Sequence, residues 1–229
     1  MIIYMGRLVL HESLYFATRE VGRLYETGRY LHNYALTYAL GLAVAPYFNA
    51  EQVPRYAEQL VPLNERGIYV TPARGVKVSY ALATFKYANN AYHVEMEKGS
   101  RNTPSFGRAK ELAVGSEFEF AVLSEHETLS LPGWIRLGLW RSKAAVTWNK
   151  AKAEQDHARQ ERASLPLNPL DTSGDLMAFD LISMPPSSLV DHALMLTEWW
   201  TWQGEGETYR LPVELKYTFP NSEEVVKAA

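Results

Sequence analysis

Apolar and polar positions alternate in short runs along most of the chain, and two stretches step by three and four instead. Residues 2 to 10 are apolar and partly β-branched around Gly6 and Arg7, the pattern of a buried first strand. Ser13 to Arg29 reads as a long connection carrying Gly22, Gly28 and three arginines. From Tyr30 to Val44 the residues Leu31, Tyr34, Ala35, Tyr38, Ala39 and Leu42 recur at helical spacing, and Pro46 closes the run. A second helical stretch, Glu51 to Val61, is delayed or broken at Pro54. Ile68 to Thr71 and Val76 to Tyr87 are strand-like, with Arg74–Gly75 predicted as the turn between them. Tyr92 to Glu97 alternates again, and Lys98 to Arg108 is a polar, basic excursion. Further strands are predicted at Glu117–Leu123, Trp134–Trp140, Ala145–Trp148, Leu176–Ile182 and Tyr209–Phe219. Asn149 to Ala163 has no apolar residue larger than alanine, which predicts a solvated helix or linker. Pro185 to Ser188 reads as the cap of a helix from Leu189 to about Trp200. This mixed order favours α+β, with a ferredoxin-like core, inserted β-hairpins and a long loop after the first strand, in one domain over residues 1–229.

Composition narrows the chemistry. With 47% apolar and 21% charged residues in 229, the chain is of ordinary globular type. It has no cysteine, which excludes disulfides, thiolate metal sites and thiol nucleophiles and fits a reducing cytoplasm. The apolar N-terminus is too short to span a bilayer and lacks a basic flank and small-residue cleavage site, so neither a membrane partner nor a signal peptide is expected. The net charge of −3 divides unevenly: residues 1–163 carry +4 and residues 164–229 carry −7. One basic and one acidic face, turned to different partners, is one reading of that asymmetry; an uneven solvated surface is the other. Phosphate-loop, G-x-S-x-G and H-E-x-x-H patterns are absent, and the six histidines are far apart in sequence, so neither cofactor nor metal is expected.

The positive signal is arginine interleaved with aromatic and amide side chains. Arg19, Arg23, Tyr25, Arg29, His32, Asn33 and Tyr34 sit around a strand-to-helix junction. Guanidinium groups grip phosphates in two-point geometry, and tyrosine faces stack on unpaired bases. The competing reading is a surface loop whose arginines pair with Glu20 and Glu26. A second cluster is Lys98, Arg101, Arg108 and Lys110, and a third is Arg136, Arg141 and Lys143 beside Gly138. Arg74 to Lys77 begins like an RNA-recognition segment, making Arg74 and Lys77 further candidates, but lacks its aromatics. Trp199, Trp200 and Trp202 lie in the acidic third and are expected in core or interface.

The block Leu14–Thr27, followed by His32–Leu36 and Tyr38–Leu42, closely resembles the Csc-one proteins of type I-D CRISPR systems, members of the Cas-five family. Leu131–Gly138 with Arg141–Ala144 resembles the family's glycine-bearing segment, and the length matches across essentially the whole chain. The resemblance implies a RAMP-type, modified RRM fold and a non-catalytic subunit of a surveillance complex. Its implied partners are the 5′ handle of the CRISPR RNA (crRNA), a large Cas-ten-like subunit, a Cas-seven-type backbone subunit and target DNA near the PAM. It also implies a thumb hairpin, for which residues 87–117 are the candidate. Some Cas-five proteins cut precursor RNA, but His32 and Tyr34 are two apart on a helix and no lysine lies beside them. Type I-D systems are expected to use a separate processing enzyme. A metal-independent endoribonuclease and a protein-only adaptor stand as the alternatives.

Overall fold

The structure is a computed structural model, which describes residues 1–43, 55–86, 106–139, 141–204 and 206–219. In chain order the elements are β1 (Ile2–Leu10), β2 (Arg19–Val21), β3 (Leu24–Glu26), β4 (Tyr30–Leu31), α1 (Asn33–Ala39), α2 (Tyr56–Leu60) and α3 (Pro62–Glu65). They continue as β5 (Ile68–Val70), β6 (Ala73–Lys77), β7 (Tyr80–Lys86), β8 (Phe106–Leu112), β9 (Glu117–Ser124), β10 (Trp134–Leu137) and β11 (Ser142–Lys152). The chain ends in β12 (Glu154–Arg162), a 3-10 turn (Pro169–Asp171), β13 (Asp175–Ile182), β14 (Leu189–Gly204) and β15 (Glu207–Pro212).

Among the described residues the strands form three sheets. The large sheet runs β10-β11-β1-β9-β6-β4, with β5 also on β9. A small sheet runs β2-β3-β8-β7, and a third runs β12-β14-β13 with β15 on β14. β1 is paired along both edges, to β9 and β11, and its even positions turn to a buried face. Leu8 and Leu10 pack there with Phe118, Phe120 and Val146. Helix α1 lies against β5 and β10.

The architecture is mostly β, which corrects the α+β balance expected from sequence. Asn149–Ala163 is the end of β11 and the whole of β12, not a helix or linker. Among the described residues β12 pairs only with β14, and it turns most of its side chains to water. A charged edge strand of this kind resists pairing with another chain, so it needs no large apolar residue. Leu189–Trp200 is not a helix but part of the sixteen-residue β14. β14 carries β12 on one side and β13, then β15, on the other. Irregular pairing to β13 and a left-handed His192 (φ 51°) break its alternation, so Leu189, Val190 and Asp191 are all buried and the pattern imitates a helix face. Trp199 and Trp202 are buried, as expected. Arg74–Gly75 lies within β6, not in a turn, and Gly75 N–H donates to the Arg29 carbonyl at 2.9 Å. The helix predicted over Tyr30–Val44 is shortened to α1, because Tyr30 and Leu31 pair with β6 as β4. The alternating run Tyr92–Glu97 lies outside the described residues.

A buried polar knot fastens the C-terminal chain to α1 and β5. Asn33 Nδ2 donates to Asp171 Oδ2 at 2.8 Å, Tyr69 OH donates to the same oxygen at 3.0 Å, and Thr218 N–H donates to Oδ1 at 3.2 Å. Tyr217 OH accepts from Val70 N–H at 3.2 Å and shares a hydrogen bond with Thr37 Oγ1 at 2.6 Å. Alongside, His32 caps α1: its Nδ1 accepts from Tyr34 N–H, so its proton sits on Nε2, 3.0 Å from Ser187 Oγ. Burial pushes the Asp171 carboxyl up to about 6 against the pull of these donors, and burial pushes the His32 imidazole down to about 4.

These two groups act on stability with opposite sign over nearly the same pH window. The folded state holds the Asp171 proton more tightly, so that group costs stability as pH rises from about 4 to 6; buried neutral His32 costs stability as pH falls from about 6.5 to 4. Melting temperature across this range should therefore owe little net slope to the pair. Relative to the parent, Asp171→Asn should add a rise in stability with pH, up to about 1.4 kcal/mol per pH unit, and His32→Asn should add a fall. Thermal melts followed by circular dichroism from pH 4 to 7 check this, and parallel curves for parent and both variants would refute it. A second expectation concerns Gly138, which has φ +70° and whose missing Cβ would lie 2.4 Å from Leu14 Cδ1 and 2.6 Å from the Tyr15 carbonyl oxygen. Gly138→Ala should cost about 1–3 kcal/mol, read as a lower melting temperature.

Candidate nucleic-acid interface

The segment that follows β1 holds two of the basic clusters in place, the end of β8 and the tip of the β10–β11 hairpin. Leu14 exchanges two backbone hydrogen bonds with Leu112, at 2.9 and 3.0 Å, and its side chain is fully buried. One residue on, the Tyr15 carbonyl accepts from Leu139 N–H at 3.0 Å, and the Ser13 carbonyl accepts from Ser142 Oγ at 2.6 Å. The tip of the β10–β11 hairpin and the end of β8 are thus both held on the same short stretch of chain. Gly138 is required there, since only a residue without Cβ fits against Leu14 and Tyr15 at a positive φ.

On the small sheet, register decides which predicted residues meet. Arg108 lies opposite Thr84 and Leu24, and Lys110 lies opposite Leu82 and Glu26. Arg19 pairs with Glu26 across the β2–β3 hairpin, its Nη2 2.5 Å from the carboxylate. Arg19, Arg108 and Lys110 therefore share one face with Tyr80 and Leu82, both exposed. The Lys110 ammonium sits 4.3 Å from the Tyr80 ring centroid and 3.6 Å from Glu26. Hydrogen bonding to Arg19, with the charges of Arg19 and Lys110, holds the Glu26 carboxyl below its ordinary range. Arg23 is exposed at the β2–β3 turn, its carbonyl accepting from Arg108 N–H at 2.8 Å. Tyr25 alternates to the opposite face, half-buried with its ring 5.9 Å from Phe85, so it does not share the surface of the cations. Lys98 and Arg101 lie outside the described residues, as does the span 87–105 of the candidate thumb; β7 and β8 pair antiparallel up to Lys86 and Phe106.

Several candidates are corrected by burial or by committed partners. His32, Asn33 and Tyr34 were expected to touch RNA, but all three lie in the core, held by the cap and the Asp171 knot. An imidazole buried and neutral down to about pH 4 is also poorly placed for acid–base chemistry near neutrality. Arg74 spans Glu119 at 2.6 Å and fully buried Asp191 at 3.6 Å, joining the large sheet to the third. Tyr30 OH donates to the other Asp191 oxygen at 2.9 Å. Arg29 donates to the Gly75 carbonyl at 2.9 Å. Lys77 is exposed, 3.9 Å from Glu117, whose nearer partner is Arg7 at 2.8 Å. Sequence reasoning passed over Arg7, because a lone arginine in an apolar strand gives no clustering signal.

The third cluster is an aromatic–cationic corner at the edge of the large sheet. Arg136 and Lys143 are cross-strand partners on the face that also carries Trp134. Lys143 Nζ lies 4.2 Å from the Trp134 ring centroid, and His11 meets the ring edge-on at 4.8 Å. Arg136 Nη1 donates to the carbonyl of left-handed Arg141 (φ 56°) at 3.0 Å. The sequence singled out the cations but missed Trp134 and His11, which no local pattern distinguishes from core aromatics. Both clusters offer what single-stranded nucleic acid needs: charge for phosphates and an aromatic surface for bases. Among the described residues no three His, Asp or Glu side chains gather as a metal-binding group.

Comparison with curated proteins finds no match. Among solved structures, the chain is similar to one in a cryo-EM structure of the Type III-B Cmr-beta complex bound to cognate target RNA and AMPPnP. That likeness has 11% identity and a TM-score of 0.40, covers 90% of this chain and 86% of the other, and is too remote to carry an argument. The family model of the type I-D CRISPR-associated protein Cas5/Csc1 matches residues 1–220. With that match over nearly its whole length, the chain belongs to the type I-D Cas5/Csc1 family.

Proposed function

We propose that this Cas5/Csc1 chain is a non-catalytic, cytoplasmic subunit of a type I-D surveillance complex that holds the 5′ handle of the crRNA. The observation that carries this reading is the gathering of Arg19, Arg108 and Lys110 on one face of the small sheet beside exposed Tyr80 and Leu82. Glu26 is the one acid of that face among the described residues, and it is already bracketed by Arg19 and Lys110. On this reading the sheet around β1 with α1 is the modified ferredoxin-like core, and the small sheet is an insertion that presents the RNA surface. The acidic C-terminal third then faces neighbouring protein, the large Cas-ten-like or Cas-seven-type subunit. In support, β13 leaves Met177, Phe179 and Leu181 exposed beside Asp175 and Asp180, an apolar and acidic strip that phosphates would avoid.

Both halves of the reading are testable. Arg108→Ala with Lys110→Ala should leave the circular dichroism spectrum unchanged and weaken retention of repeat-derived RNA. It should also flatten the log–log salt dependence by about 0.7 for each phosphate no longer neutralised. A folded double variant with parental affinity and slope would show that the handle lies elsewhere. Repeat RNA incubated with the purified chain, with magnesium or with EDTA, should stay intact. Site-specific cleavage that survives EDTA would favour the metal-independent nuclease instead.

A further inference from the structure

We infer that Trp134 is a stacking platform for a single unpaired base of a nucleic-acid strand, set in a cationic frame made by His11, Arg136 and Lys143. The inference rests on the RNA-binding reading above but concerns a different surface, the β10–β11 corner of the large sheet. Trp134 keeps 50% of its surface in solvent, although it stands on a paired strand beside buried Ile135 and Leu137. Exposing half an indole wastes apolar burial, and an orderly surround argues against an accidental overhang.

That surround fixes the ring from two directions. The Lys143 ammonium lies over the ring at 4.2 Å, and the His11 imidazole abuts it edge-on, 71° from coplanar. His11 is itself held by its N–H bond to the Lys143 carbonyl at 2.9 Å. The nearby acid, Glu12, is turned to the backbone: its Oε2 accepts from Lys143 N–H at 2.8 Å, leaving the lysine ammonium on the indole. Farther along the same face Glu117 is neutralised by Arg7 and Lys77, and Glu119 by Arg74.

The chemistry that matches is a planar, electron-poor ring carried on a phosphate chain. A base stacks on the open indole surface while Arg136, two residues along the same strand, and Lys143, its cross-strand partner, meet the flanking phosphates. Stacking of this kind accepts any base, so the corner would hold a strand in place rather than read its sequence. A base inside a duplex would not serve, because paired and stacked bases present only their edges.

The test pairs the protein with chemically altered strands. Single-stranded repeat RNA, and DNA of the same sequence, are titrated against the full chain and against Trp134→Ala, Trp134→Phe and Arg108→Ala/Lys110→Ala. Trp134→Ala should weaken binding roughly 5- to 150-fold with the salt slope unchanged, whereas Trp134→Phe should retain most of the affinity. An abasic site scanned along the strand should reproduce the Trp134→Ala loss at one position, and combining the two should add nothing further. A larger Trp134→Ala effect on RNA than on DNA marks the crRNA as the source of the base, and the reverse marks a DNA strand. If the small-sheet double variant loses affinity while Trp134→Ala and every abasic position leave it unchanged, the platform is wrong and the handle reading stands. If the full chain binds neither strand, both fall. Unchanged nucleic-acid affinity in Trp134→Ala, together with weakened association with a neighbouring subunit, would make the corner a protein contact and overturn the inference.

Discussion

The surface chemistry of this protein depends on one crossing, where Leu14 pairs with Leu112 while its neighbours Ser13 and Tyr15 receive the β10–β11 hairpin. Three independent pieces of chain meet within a few residues: the exit from β1, the end of β8 and the turn around Gly138. Backbone hydrogen bonds define the geometry, and burial of Leu14 excludes the water that would compete for them. Because β8 carries Arg108 and Lys110 and the hairpin carries Trp134, Arg136 and Lys143, both aromatic–cationic surfaces inherit their placement from this crossing. A close backbone approach of this kind tolerates no Cβ at position 138, so the glycine is a structural requirement of the surface.

Charge in the molecule separates into two populations with different work. Arg74, Arg7 and Arg29 are tied to Glu119, Asp191, Glu117 and a backbone carbonyl, and they join strands and sheets. Asp191 is fully buried and meets the Tyr30 hydroxyl and the Arg74 guanidinium, so the contact between the large and third sheets is polar at its centre. Removing one partner from such a site strands a buried charge, a far larger loss than any exposed pair could produce. Arg23, Arg108 and Arg136 lie in the other population, exposed and spread over the small sheet and the hairpin corner. Exposed cations contribute little to stability, which leaves them available for a ligand.

The Asp171 knot shows the same economy inside the core. A carboxyl group raised toward neutrality still accepts from Asn33, Tyr69 and Thr218, closing the C-terminal chain over α1 and β5. Family membership and this packing agree in one respect. The long N-terminal block that resembles the Cas5/Csc1 family contains His32, Asn33 and Tyr34, and these serve the core rather than the surface.

By itself the sequence determined the first strand, a helix within Tyr30–Val44, most strands between 68 and 148, and the family, because each rests on local pattern or residue identity. Cluster positions were legible too, since arginine beside tyrosine and glycine can be read without coordinates. Long-range pairing was not. A charged stretch such as Asn149–Ala163 becomes a strand only because β1 and β14 offer it edges, and Leu189–Trp200 becomes one because bulges disturb its alternation while three other strands pair with it. Register likewise decided that Tyr25 faces away from Arg19 and Lys110, and that Trp134 stands beside Lys143. A one-residue shift moves a side chain to the opposite face of a sheet, so the sequence could name the groups suited to a nucleic acid, and only the tertiary structure could say which of them share a surface.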